Sequence, residues 1–276
     1  MKKIACLWMC LLVFTSAFAQ DTNAVGSYFS NWFDRVTRTQ AEQPHWITPV
    51  FTTTPRLDEE LHYDIGRQNT AKGDVTNFGS SKGFELIPAE HVQFNVGLPP
   101  YLSHDYANAH DGFGDLSFLV KYRFLAGNEE HGNYVVTAFL GATVPTGSYN
   151  NGSTDAVLTP TFGFGKGWGA FDFQSTFGAG IPSGHLDVLG TPFTWNTAFQ
   201  YRILRKIWPE VEVTSVFFPN GQHSGNQQVF MAPGIVFGRY HLWHRLGLTI
   251  GGAEQIAVTR FHTYNHNSVL SVRFPF

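Results

Sequence analysis

Four groups of residues in this 276-residue sequence have types and spacings that could do chemistry. Gly163, Gly165, Gly167 and Gly169 form a string of alternate glycines. A phosphate or dinucleotide loop would need a helix N-terminus directly after them. Phe171-Asp172-Phe173-Gln174-Ser175-Thr176-Phe177, the next stretch of chain, alternates as a strand instead. The glycines are therefore expected to relieve curvature and to build a turn at 166–168. His241 with His244, and His262 with His266, invite a metal. On a strand or loop these spacings do not bring both imidazoles to one face, and no cysteine or carboxylate cluster completes a tetrahedral set. No metal and no cofactor are expected. His223-Ser224 is the nearest approach to a base and nucleophile, without a G-x-S-x-G elbow or an orienting group, so no enzyme activity is expected.

The fourth group is made of charges on alternating segments. Asp58, Glu60, His62 and Asp64 oppose Leu57, Leu61, Tyr63 and Ile65, with Glu59 out of place on the apolar side. Lys121 and Arg123 oppose Leu116, Phe118, Val120, Tyr122 and Phe124. Arg202 opposes Phe199 and Tyr201, while Glu210 and Glu212 oppose Val211 and Val213. Asp172, Arg245 and Arg273 complete the set. Period two makes these segments strands. Apolar residues outside and charges inside suit a closed barrel in lipid, the only sheet that satisfies its backbone there. These charged residues and His62 are thus candidates for lining a lumen. Arg202 is expected to pair with Glu210 or Glu212 across a hairpin, and Arg273 with Asp58 or Glu60 across the closing seam. Such an interior is either a constriction that selects solutes or an ion-pair lattice that holds a narrow barrel shut. The lattice is favoured, because small barrels are largely filled by side chains.

The elements that would carry these residues begin after a leader. Lys2 and Lys3, an apolar run and Ala17-Phe18-Ala19 make residues 1–19 a signal peptide. Cys6 and Cys10 lie within it, so the mature chain has no disulfide to rely on. Without the two leader lysines, 16 basic residues face 21 acidic ones, which gives no reason to expect nucleic acid. Residues 20–56 read as a short amphipathic helix over 24–40, carrying Phe29, Trp32, Phe33 and Val36, and then an extended lead-in. The helix is a plug, a lid or, as the favoured reading, an element lying on the barrel rim. Pro44, Pro49 and Pro55 keep the lead-in from being a central strand.

Residues 57–276 divide into twelve strands near 57–66, 76–87, 91–98, 114–125, 132–144, 156–165, 169–180, 190–203, 207–218, 228–239, 243–255 and 266–276. The connections alternate long and short, as in an up-and-down transmembrane barrel with both termini in the periplasm. Tyr122, Trp168, Tyr201, Trp208, Tyr240 and Trp243 gather near the short turns, where an aromatic girdle belongs. The last strand puts Leu270, Val272, Phe274 and Phe276 on one face. It resembles the C-terminal strand that outer-membrane barrels present to their assembly machinery.

Gly112-Phe113-Gly114-Asp115-Leu116 running into Lys121-Tyr122-Arg123-Phe124, together with Val144-Pro145-Thr146-Gly147 and the last strand, resembles an outer-membrane family named for a role in a meta-pathway of phenol degradation. The resemblance covers 57–276. It implies a β-barrel that transports aromatic or other hydrophobic compounds, and it supplies no binding residues. The expectation is an all-β barrel of about twelve strands in the outer membrane of a Gram-negative-type bacterium, passing small solutes. Its partners would be outer-membrane lipid, the barrel assembly machinery and an unidentified solute. A closed barrel acting through its outer loops is the main alternative, and a lipid-modifying enzyme is a disfavoured third.

Overall fold

Strands form where the sequence alternates, and the last of them pairs with the first. The computed structural model describes residues 22–79 and 82–276; the signal peptide read in 1–19 lies outside the described residues. Helices α1 (Thr22–Ser30) and α2 (Trp32–Ala41) precede strands β1 (Glu60–Thr70), β2 (Gly73–Phe78), β3 (Gly83–Ala89), β4 (Val92–Gly97), β5 (Tyr101–His104), β6 (Gly112–Phe113), β7 (Leu116–Gly127), β8 (Tyr134–Val144), β9 (Val157–Trp168), β10 (Phe171–Ala179) and β11 (Ile181–Pro182). The short helix α3 (Leu186–Leu189) sits in a long loop. Strands β12 (Phe193–Tyr201), β13 (Ile207–Phe217), β14 (Gln227–Trp243), β15 (Leu246–Ala257) and β16 (His266–Pro275) complete the chain.

Several staves are broken in two. β2 and β3 both pair with β1, from Ile65↔Phe78 upward and from His62↔Gly83 downward. Pro99 and Pro100, which cannot donate to a ladder, separate β4 from β5. With each broken stave counted once, the described residues close a twelve-stranded antiparallel barrel. The seam runs from Glu60↔Pro275 to Asn69↔His266. Residues 270 and 273 fall on opposite faces as the alternation demands, Leu270 outside and Arg273 inside.

Four expectations need correction. The first strand starts at Glu60, not at 57, because the chain before it runs inside the barrel. Glu59 is therefore no misplaced strand residue; its carboxylate accepts Trp32 Nε1–H at 2.6 Å and Ile87 N–H at 2.9 Å. The turn expected at 240–242 lies at His244 and Arg245, since two register shifts lengthen β14. Arg245 consequently leaves the lumen and donates to Thr37 Oγ1 at 2.9 Å. Arg202 steps off the ladder after Tyr201 and lies 5.7 Å from the Trp208 ring, with neither Glu210 nor Glu212 as its partner. Trp208 is only 4% exposed and points inward, in step with Glu210 and Glu212, so it cannot belong to an outer girdle. Tyr122, Trp168, Tyr201, Tyr240 and Trp243 are exposed on the outside.

The single expected helix is two, broken at Asn31, and its apolar residues do not share one face. Val36 is buried against Leu57 and Ile87, while Phe29 and Phe33 are exposed. α2 lies on the short-turn rim and bridges two turns that flank the seam. Thr39 Oγ1 donates to Glu90 O at 3.1 Å on one side, and Thr37 receives Arg245 on the other.

At the opposite end, Asp115 organises the 145–153 loop. Its carboxylate accepts the N–H groups of Thr146 (3.0 Å), Gly147 (2.9 Å) and Ser153 (2.6 Å). A Cβ on Gly147 would stand 2.5 Å from Gly152 Cα, so only glycine permits this closure. Burial raises the Asp115 pKa, but the three N–H donors outweigh it and hold the carboxyl below the usual carboxylate range. The contribution is thus present above the ordinary carboxylate pKa and is lost as pH falls through the lower folded value. Asp115→Asn should speed amide exchange at 146, 147 and 153 severalfold and leave exchange in the barrel strands unchanged.

Candidate functional site: a plugged lumen

Residues 43–59 have no regular structure and fill the barrel. All are buried except His45, with Phe51 and Thr53 partly so. Pro44, Pro49 and Pro55 prevent this segment from adding to the sheet, and its apolar side chains find the wall instead. Trp46, Ile47 and Val50 pack with Val135, Trp208 and Val236 in one cluster. The wall opposite Trp46 is made of the alternate glycines. A Cβ on Gly165 would stand 2.6 Å from Trp46 Cζ3, one on Gly167 2.7 Å from Trp46 Nε1, and one on Gly163 3.3 Å from Pro55 Cβ. The inward glycines therefore make room for the plug, rather than only easing curvature as the sequence suggested.

An extended chain without ladder partners leaves its N–H and C=O groups to be satisfied in the interior. The lumen charges do this by sign. Glu210 Oε1 accepts Val50 N–H at 3.1 Å, and Glu212 accepts Phe51 N–H at 2.8 Å and Thr52 N–H at 2.5 Å. Cations take the carbonyls: Lys121 Nζ donates to Thr54 O at 3.1 Å and Arg56 O at 3.2 Å. Arg273 donates to Thr48 O and, at 2.8 Å, to Pro49 O. Arg123 donates to Thr39 O at 2.6 Å, where α2 enters the plug. Within the plug, Arg56 folds back onto Pro44 O (2.7 Å), Trp46 O (2.5 Å) and Asp58 Oδ1 (2.9 Å).

Ten of the twelve expected lining residues are buried inside: Asp58, Glu60, His62, Asp64, Lys121, Arg123, Asp172, Glu210, Glu212 and Arg273. Asp58 belongs to the plug itself. Arg245 and Arg202 are the two exceptions. The anticipated Arg273 ion pair is replaced by contacts to His62 Nε2 at 3.3 Å, Ser271 Oγ at 3.1 Å and the plug carbonyls, because Glu60 stands two residues along the ladder from the directly opposed His62. Sequence reasoning missed Glu85, Gln174, Gln200 and Arg56. Gln174 and Gln200 share inward parity with Asp172 and Arg202, which could have marked them. Gln174 takes Thr54 Oγ1–H at 2.7 Å and gives Nε2–H to Ile47 O at 3.0 Å. For Arg56 no strand pattern exists to read.

Cavities flank the plug on more than one side. One of about 470 Å³ opens at the short-turn end and reaches Asp58, Glu59 and Glu60. Another of about 260 Å³ lies towards the long loops and reaches Glu85 and Lys121, with Thr48 and Thr54 as its plug-side wall. A third hollow, about 790 Å³, is on the outer wall across β9–β14, rimmed by Trp168, Phe171, Trp195 and Phe199. Its floor is hydroxylic: Trp195 Nε1–H donates to Ser175 Oγ at 2.9 Å, and Ser175 Oγ lies 2.9 Å from Thr197 Oγ1.

The barrel is similar to solved outer-membrane structures. An outer membrane channel from Pseudomonas putida F1 shares 13% identity at a TM-score of 0.57, covering 83% of this chain and 98% of the channel. The NanC porin shares 11% identity at a TM-score of 0.51, covering 78% and 98%. These likenesses carry the fold. No curated protein matches the chain. The family model described as "Putative MetA-pathway of phenol degradation" matches residues 48–228, from the plug to the start of β14, and the chain belongs to that family.

Proposed function

We propose that this barrel resides in the outer membrane, with its short turns in the periplasm, and passes small solutes passively when the 43–59 segment loosens. The observation that supports this most is the pair of cavities facing each other across the plug. The plug is held by hydrogen bonds to charged groups rather than by a ladder or a covalent link, so it can leave without unfolding the wall. The lattice of charges is then the latch, and the lumen it would vacate is lined by carboxylates, guanidinium groups and amides suited to polar solutes. Lipid on the outside and the assembly machinery at the last strand are the partners in this reading.

The outer hollow favours a second route for the hydrophobic or aromatic solutes that the family description suggests. Its aromatic rim and hydroxyl floor suit a ring bearing one polar group.

Glu212→Ala removes the acceptor of two plug N–H groups. Loss of about 2 kcal/mol would raise the plug-out population about thirtyfold. Planar-bilayer recordings should show rare openings for the unaltered protein and frequent ones for this variant. A silent Glu212→Ala barrel that keeps its heat-modifiable mobility would contradict passage and favour a permanently closed barrel. Gly165→Leu should displace Trp46 from its wall, giving a red-shifted tryptophan emission and the same rise in openings.

A further inference from the structure

Directly opposed like charges destabilise a sheet, yet Glu60 on β1 and Glu85 on β3 are partners in register. His62, two residues along β1 and therefore on the same inward face, completes a group whose ligand atoms lie within 4.8 Å of one another. His62 Nδ1 is 3.6 Å from Glu60 Oε1 and 3.8 Å from Glu85 Oε1, too far for hydrogen bonds. His62 Nδ1 and Glu60 Oε1 are both buried and have no hydrogen-bond partner among the described residues. His62 is 0% exposed and Glu60 5%. Two orphaned polar atoms facing each other, with a second carboxylate beside them, are costly unless a cation lies between them.

The other imidazole nitrogen is already fixed. His62 Nε2 lies 2.8 Å from Asp64 Oδ1 and 3.0 Å from Ser271 Oγ. Arg273 Nε meets the same nitrogen at 3.3 Å, so Nε2 is taken and Nδ1 is the ring nitrogen left facing Glu60 and Glu85. This carboxylate–imidazole arrangement is the outer support that metal-ligating histidines generally have. Lys121 and Arg273, on nearby staves, direct N–H groups to plug carbonyls. Around a tetrahedral ion with bonds of about 2.0–2.1 Å, ligand atoms stand about 3.4 Å apart. The two imidazole–carboxylate spacings need to close by only a few tenths of an ångström, and the two carboxylates, held within 4.8 Å, need to draw together between them. One imidazole among the ligands favours a first-row transition ion over calcium or magnesium, which take oxygen.

We propose that Glu60, His62 and Glu85 form a binding site for one divalent transition-metal ion, with zinc as its natural size and geometry. The ion would join the seam strand to its neighbour beneath the plug. It has a way in from each side, since the short-turn cavity reaches Glu60 and the long-loop cavity reaches Glu85. The site does not depend on passage of solutes, and metal binding alone tests it.

The full chain, purified in detergent, stripped with chelator and dialysed against Zn²⁺, should retain one equivalent by elemental analysis. His62→Gln and Glu85→Gln should each reduce this to the residual level, while His223→Gln, on an outer loop, should keep it. Co²⁺ added to the stripped, unaltered chain should give the visible absorption of a tetrahedral nitrogen–oxygen site, displaced by Zn²⁺; this reading does not depend on any variant folding. Zinc retained equally by His62→Gln, or no cobalt spectrum from the unaltered chain, would overturn the assignment and leave His62 as a proton-carrying clamp between carboxylates.

Discussion

The structure depends on one constraint: a stretch of extended backbone inside a barrel must find hydrogen-bond partners that are not strands. A central strand satisfies its N–H and C=O groups through its neighbours. Residues 43–59 cannot, because proline interrupts them and the twelve-stranded wall is already closed. The wall's charged side chains substitute for a ladder, carboxylates of β13 meeting amides and the cations of β7 and β16 meeting carbonyls. The mixed charge of the lumen is therefore more than a bare filter or a set of ion pairs such as Arg56–Asp58. It is a two-signed lining that matches the two poles of the peptide group.

This arrangement explains why the interior tolerates so many ionisable groups. A buried charge is costly when alone and acceptable when several donors or acceptors surround it. Glu212 receives two backbone N–H groups, and Arg56 reaches two carbonyls and a carboxylate. Small residues on the wall matter as much as charged ones. The glycines of β9 let Trp46 lie against the sheet, and the opposite side offers Trp208 and Val236. Apolar contact fixes the height of the plug, and polar contact fixes its path.

Much of this was legible in the sequence. Period-two alternation together with the long-and-short spacing of connections located twelve staves, although 132–144 and 228–239 alternate poorly, and parity alone put Lys121, Arg123, Glu210, Glu212 and Arg273 inside. Parity should also have placed Trp208 inside, since it is in step with Glu210. Grouping it with the other rings by position along the chain overrode its face. What alternation cannot carry is anything that does not alternate. The lead-in has no period, so its proline pattern excluded a strand without saying where the chain goes. Glu85 escaped notice because its stave is split into β2 and β3, and a broken ladder shows no long run to read. Arg202 and Arg245 sit at strand ends, where a shift of one or two residues decides between lumen and turn.

Residues 22–276 contain no cysteine, so one introduced thiol can report on the central claim, that the 43–59 segment occupies the lumen. The measurement is the rate at which Thr52→Cys reacts with a small charged thiol reagent in the folded, detergent-solubilised barrel. Tyr149→Cys, on an outer loop where the native residue is 71% exposed, serves as the reference. The account predicts that Thr52→Cys reacts at least a hundredfold more slowly, and that the difference disappears on boiling. Equal rates in the folded barrel would mean that the segment lies outside the lumen, and the plug, its latch and the gated passage would fall together.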